Sequence, residues 1–282
     1  MGDMEKLVFL KLGGSLITDK TQAYTPRLGI LDDLARQIAA ALRDAPGLSL
    51  VVGHGSGSFG HTAAKEYHTR AGLRGWSASA DQFIPPEEAR YWRGFSQVWF
   101  QASALNRLVM EALQKADIPC LALAPVSAVT ARDGQVSGWD IAPLKAALAA
   151  RMVPVVYGDV SFDEARGGTI LSTEDLFEYL ARQLKPGRIL LAGLEAAVWA
   201  DYPERKQPIE KITPASFEKI KSHVGASHGA DVTGGMESKV RQMLALASEI
   251  PGLSVQIFSG EPGGNIKRSL AGENLGTILS TD

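Results

Sequence analysis

The chain has 282 residues, 45% of them hydrophobic and 21% charged. That is the make-up of an ordinary globular protein with a sizeable core, built as one large domain or two smaller ones. The net charge of −2 offers no bulk attraction to nucleic acid or to an acidic membrane, so neither is expected as a partner.

The opening MGDMEKLVFLKLGG puts acids ahead of a short apolar run and has no small-residue cleavage site, so it does not read as a secretory signal. No apolar run approaches the ~18 residues that cross a bilayer, and a soluble, cytoplasmic protein is expected. LVFLKLGG (7–14) reads as a buried strand ending in glycines. RLGILDDLARQIAAALRDAPG (27–47) has apolar residues at helical spacing and stops at Pro-Gly. LSLVVGHG (48–55) is the next buried strand, and a helix starting near Gly60 covers HTAAKEYH. Residues 69–90 are irregular, and 87–117 form a long amphipathic helix rich in aromatics. IPCLALAPV is a strand. Its Cys120 is the only cysteine, so no intrachain disulfide exists, and it reads as a buried thiol in a reducing compartment. DIAPLKAALAARM is a helix, VPVVYGDVSFD a strand and SFDEARGGTILS a hairpin. TEDLFEYLARQLKPG is a helix capped by its threonine, with acids in the first turn. A strand at RILLAG, a helix at ESKVRQMLALASEIPG, a strand at LSVQIFSG and a terminal GTILS complete the chain.

Such alternation predicts an α/β fold with a mostly parallel sheet covered by helices on both faces. No Pro-rich or charged linker divides it, so one continuous unit with two lobes is expected. Ligands of such sheets bind at the carboxyl ends of the strands. The clusters LGGS (12–15), GHGSGSFGH (53–61), YGD (157–159) and SGEPGG (259–264) all follow strands, whereas DVTGGMESK (231–239) leads into a helix.

GHGSGSFGH satisfies two known patterns. Gly55-x-Gly57-x-x-Gly60 fits the dinucleotide fingerprint, but no second strand ends in an acid about 20 residues on. The nearest acid there is Asp81, in the irregular GWSASADQFIPP. Gly55-x-x-x-x-Gly60-His61-Thr62 is a phosphate loop with His in place of Lys, and a neutral imidazole supplies no permanent charge. What both patterns share survives: glycine amides and a helix N-terminus near an anion. Lysines then weight the reading. Lys11 interrupts an apolar strand, where a lysine is costly unless paired or liganded. Lys20 follows nine residues later, and Lys239 follows the TGGMES turn. Cations beside glycine loops are the equipment of phosphoryl transfer.

KLGGSLITDK, GHGSGSFGH, YGDV and DVTGGMESK, in this order, resemble the amino acid kinase superfamily over nearly the whole chain, and ITDK with GSFGH is similar to isopentenyl phosphate kinases. The resemblance implies a three-layer αβα sandwich with a mostly parallel central sheet. It implies a single domain over 1–282, with an acceptor-binding lobe (about 1–165) and a nucleotide-binding lobe (about 166–282), usually in a homodimer. The implied reaction passes the γ-phosphoryl group of ATP, with Mg²⁺, to isopentenyl phosphate. Lys11, Gly13, Gly14 and Ser15 would meet the ATP phosphates, and Lys20 would stabilise the transferring group. His61 would hydrogen-bond the acceptor's phosphate. Gly57 would serve ATP, and Ser56, Gly60 and Gly158 the acceptor. Gly235 and Lys239 would bind nucleotide, as would Asp175. No residue is assigned to metal.

Three departures stand out. Ser56 replaces a common glycine, STEDL (172–176) replaces SGDDL through Thr173 and Glu174, and LEAAVWADYP replaces an acidic-Gly-Val-Tyr pattern while keeping Asp201 and Pro203. Among Tyr91, Trp92, Phe95, Trp99 and Phe100, some could wall a prenyl pocket, but core or dimer interface is the expected place for any one of them. His54, His61 and His68 recur every seven residues without the further ligands a metal site needs, and His223 and His228 read as solvated. Two alternatives remain open: a kinase of another phosphate or phosphonate acceptor such as fosfomycin, and a non-catalytic oxyanion-binding protein on this fold.

Overall fold

The computed structural model describes residues 7–73, 76, 85–221, 224, 235–261 and 263–281. Its main sheet has eight strands. From one edge they are Lys211–Ile212, Thr277–Leu279, Ser254–Ser259, Arg188–Gly193, Leu7–Leu12, Ser49–His54, Val153–Tyr157 and Cys120–Ala122. Every pairing is parallel except that of Ser254–Ser259 with Thr277–Leu279. Apolar runs of six residues such as LVFLKL suit this place, because a parallel strand is covered on both sides.

One face packs Leu7, Phe9, Val51 and Ile189 under the helices Thr173–Leu184 and Met236–Glu249. The other packs Val8, Leu10, Leu12 and Val52 under Leu28–Asp44 and Pro86–Lys115. Three layers result, as expected. Cys120 is buried, and burial pushes its thiol pKa up.

A second sheet of four strands, ordered Gln135–Trp139, Val129–Arg132, Asp159–Asp163 and Gly167–Leu171, has no counterpart in the sequence reading apart from the hairpin expected over 161–172. VPVVYGDVSFD is therefore not one strand. It breaks at Gly158, whose amide donates to the His54 carbonyl (3.1 Å), and its halves join different sheets. The helix predicted near Gly60 spans Gly57–Tyr67 and so begins inside the glycine motif. The cap of Thr173–Leu184 is Ser172, not Thr173. Ser172 Oγ accepts from the Asp175 amide at 3.1 Å, and Asp175 Oδ2 accepts from the Ser172 amide at 2.8 Å, a reciprocal capping box. Asp81, His223 and His228 lie outside the described residues.

The chain crosses from one side of the central strand to the other at Leu7–Leu12, which pairs with both Ser49–His54 and Arg188–Gly193. This reversal of strand order opens a crevice at the carboxyl ends, where Leu12 lies level with His54 and Ala192.

Candidate active site

Strand periodicity places Lys11 on the same face as Leu7 and Phe9. Phe9 packs on Phe177, with ring centroids 5.1 Å apart. Two residues further along the strand and three residues back along the helix, Lys11 forms an ion pair with Glu174. The helix can approach this closely because Gly53, beside Lys11 in the sheet, has no side chain. A Cβ there would lie 2.6 Å from Phe177 Cζ.

Glu174 is 8% exposed and lies 3.7 Å from Lys239 Nζ as well. Burial by itself would raise its pKa, but the ammonium groups of Lys11 and Lys239 outweigh burial and hold it near 2. Lys239 sits in the first turn of Met236–Glu249, where the helix dipole disfavours a cation. Glu174 thus offsets two lysines that the fold alone would not place together. The STEDL departure carries this anchor one helical position ahead of Asp175.

The two glycine loops touch. A Cβ on Gly14 would lie 2.6 Å from the Gly57 amide nitrogen, and Gly57 has φ +51°, so neither position accepts a side chain. Thr18, 1% exposed, ties the loops together. Its hydroxyl donates to the Gly14 carbonyl (2.7 Å) and accepts from the Ser58 amide (2.9 Å). Gly60 leaves room for the hydroxyl of Ser56, so the serine that replaces glycine is accommodated.

A cleft of about 310 Å³ runs over these loops. Lys11, Gly13, Gly14, Ser15 and Lys20 line it, with Ser56, Gly57, Gly60 and His61 from the second loop. Gly158, Gly235 and Lys239 complete the expected set along its walls. Among the described residues, Asp175 is the one expected site residue outside the lining. Its carboxylate caps its own helix and accepts from Gln242 Nε2 at 3.2 Å.

Ala64, Val98 and Ile170, which belong to one hydrophobic cluster, form an apolar part of the cleft wall. The long helix contributes Val98 here rather than its aromatics. Tyr91 and Phe95 are buried behind it, while Trp99 and Phe100 face outward. Leu194, Glu195, Trp199 and Tyr202, from the LEAAVWADYP segment, also line the cleft. Trp199 Nε1 donates to Glu195 Oε2 at 2.9 Å, and Arg205 pairs with Oε1 at 2.8 Å, which fixes that carboxylate. Arg70, on the turn Thr69–Ala71, also lines the cleft. Sequence reasoning assigned it no role, because a lone arginine in an irregular stretch carries no local signal.

The three histidines separate. His54 is fully buried and stacked on Tyr157, accepts from Asn106 through Nε2 and donates through Nδ1 to the Gly55 carbonyl. Burial holds its pKa down to about 4, so it is neutral and structural. His68 ends its helix in a left-handed conformation. His61 alone lines the cleft.

The amino acid kinase family model matches residues 6–259. The isopentenyl phosphate kinase of Methanocaldococcus jannaschii is 32% identical over 97% of this chain and 98% of its own. That of Methanothermobacter thermautotrophicus is 33% identical over 95% and 97%. Among solved structures, an isopentenyl phosphate kinase superposes with a TM-score of 0.80 at 27% identity, covering 97% of this chain and all of the other. Family model, full-length relatives and superposed fold agree with the lysines and glycine loops gathered in the cleft: the chain belongs to the amino acid kinase family.

Proposed function

We propose that the protein transfers the γ-phosphoryl group of ATP to isopentenyl phosphate, giving isopentenyl diphosphate and ADP. The observation that carries this is the composition of the cleft over the two glycine loops: its lining brings together lysines, glycines and His61 with Ala64, Val98 and Ile170, three members of one hydrophobic cluster. A charged head with a short hydrocarbon tail matches that pairing.

In this reading Lys11 and Lys239 take the β- and γ-phosphates, with Gly13, Gly14, Ser15 and Gly57 allowing close approach of the backbone. Gly235, which caps the helix carrying Lys239, serves the same nucleotide. Lys20 neutralises charge on the group in flight, and His61 donates to the acceptor's phosphate. An oxygen of that phosphate attacks the γ-phosphorus while the bond to the β-phosphate oxygen breaks. The attacking oxygen is already anionic, so no side chain need deprotonate it. Ser56 and Gly60 shape the acceptor's side of the loop. Gly158 gives the acceptor a surface without a side chain, since its amide is already bonded.

Mg²⁺ fits as a passenger on the nucleotide. Among the described residues no three His, Cys, Asp or Glu side chains cluster, and a magnesium ion held by phosphate oxygens and water needs no such cage. Its chemistry would be charge neutralisation on the phosphates. The passage between acceptor and nucleotide lobes is best set at Ser172 rather than near 165, because residue 165 lies in the turn of a hairpin whose strands pair from Asp159 to Leu171. A cytoplasmic homodimer belongs to the same proposal, with the exposed Trp99 and Phe100 available to a second copy. No helix among the described residues is long and apolar enough to cross a membrane.

An ADP-release assay over isopentenyl phosphate, dimethylallyl phosphate, fosfomycin, carbamate and UMP tests the reading. Preferred turnover of isopentenyl phosphate is expected. Turnover of fosfomycin or UMP with none of isopentenyl phosphate would replace it.

A further inference from the structure

Four permanent cations line the cleft among the described residues: Lys11, Lys20, Lys239 and Arg70. Two of them, Lys11 and Lys239, share the carboxylate of Glu174. His61 adds no permanent charge. The acceptor brings a phosphate with close to two negative charges at neutral pH, and it must come within bonding distance of another phosphate. Lys20 alone would have to balance both that charge and the transferring group.

Arg70 is built into the acceptor side. Its turn follows directly on the helix that carries Gly60, His61 and Ala64. Three bonds pin the turn. Thr169 Oγ1 donates to the Arg70 carbonyl at 3.1 Å, Tyr91 Oη donates to the Thr69 carbonyl at 3.1 Å, and the Leu73 amide donates to the Arg166 carbonyl at 2.8 Å. The side chain is one third exposed and lines the same cleft as His61, Gly158 and Ser172. Its Nη2 lies 3.7 Å from Asp175 Oδ2, beyond hydrogen-bond length but close enough for that carboxylate to steer it. Asp175 is itself fixed by the capping box.

We propose that Arg70 binds the acceptor's phosphate, its planar fork of N–H donors gripping two phosphate oxygens and holding the third toward the γ-phosphate of ATP. Guanidinium suits that task better than ammonium because its donors are spaced for bidentate contact with an oxyanion. Asp175 becomes a positioning residue for Arg70, which gives a role to a carboxylate that sits behind the cleft instead of lining it. This role rests on the reading of the cleft as an isopentenyl phosphate kinase.

Steady-state kinetics of wild type, Arg70→Gln and Arg70→Lys with isopentenyl phosphate and ATP as separate variables test it. In Arg70→Gln, KM for isopentenyl phosphate should rise about 10- to 100-fold, the scale of one hydrogen bond to a charged group, with KM for ATP within about two-fold of wild type. Arg70→Lys should fall between, since charge is kept and the fork is lost. An unchanged KM for isopentenyl phosphate in Arg70→Gln, beside an active wild type, overturns the role of Arg70 and leaves the kinase reading standing. So does an equal rise in both KM values with a lower Tm, which would make Arg70 a structural prop. A wild type that does not phosphorylate isopentenyl phosphate overturns the kinase reading and this role with it.

Discussion

Replacing Glu174 with glutamine removes one charge and almost no volume. In the folded protein burial raises the pKa of this carboxyl, and Lys11 and Lys239 pull it down further than burial lifts it, from 4.5 to about 2. A shift of that size corresponds to about 3 kcal/mol of stability, at about 1.4 kcal/mol per unit. The scale agrees with the cost of leaving a buried charge without its partner. Because the folded pKa is depressed, the contribution is present above the unfolded value of 4.5 and is lost as pH falls through about 2. Glu174→Gln should therefore lower Tm by about 5–10 °C at pH 7 for a chain of this size. The deficit should stay flat between pH 5 and pH 8 and narrow below about pH 4.5. Thermal unfolding of both proteins across that range measures it. A Tm within 1 °C of wild type at pH 7, or a deficit that widens as the pH falls below 4.5, would refute the reasoning; the second result would mean that the carboxyl is protonated more easily in the folded state than in the unfolded one.

His61→Ala should abolish turnover of isopentenyl phosphate while ATP still binds by calorimetry; an unchanged kcat/KM would remove it from the acceptor site. Lys20→Ala should lower kcat by about 10³ or more, as for other cations that meet a transferring phosphoryl group. Loss of ATP affinity with kcat preserved would make Lys20 a nucleotide clamp instead. Thr18→Val deletes the hydroxyl that joins the Gly14 and Ser58 backbones and leaves a buried amide unpaired, so kcat should fall with Tm, and Thr18→Ser should restore both. Equal activity in the valine variant would show that the two loops hold register without it.

What the sequence made legible was whatever announces itself locally. A lysine in VFLKLGG violates the apolar run around it, and glycine loops after strands mark the ends where ligands bind. Lys11, Lys20, His61 and Lys239 were found this way, although they lie on four separate elements, and they line one cleft. The second sheet was missed because its strands are short. Yet ARDGQVSGW carried a signal: Asp133-Gly134 is a hairpin turn, and both residues have positive φ, 53° and 80°. The glycine of YGD marked the break at Gly158, but alternation cannot show that the two halves of VPVVYGDV join different sheets. Thr173 was read as a cap from its type and place, but its hydroxyl donates to the His54 carbonyl at 2.6 Å, and Ser172 does the capping. Glu195, Trp199 and Tyr202 lie in LEAAVWADYP, which the sequence marked as a segment without showing which side chains turn inward, whereas Arg70 reaches the cleft only through tertiary packing, which no window of sequence displays.

The central claim is that this cleft joins two phosphates. Phosphorus NMR of a reaction containing the protein, ATP, Mg²⁺ and isopentenyl phosphate tests it most directly. The account predicts that the monophosphate resonance disappears while two mutually coupled diphosphate resonances and those of ADP grow in equal amounts. Release of ADP with the monophosphate resonance unchanged, or no reaction at all, would contradict it.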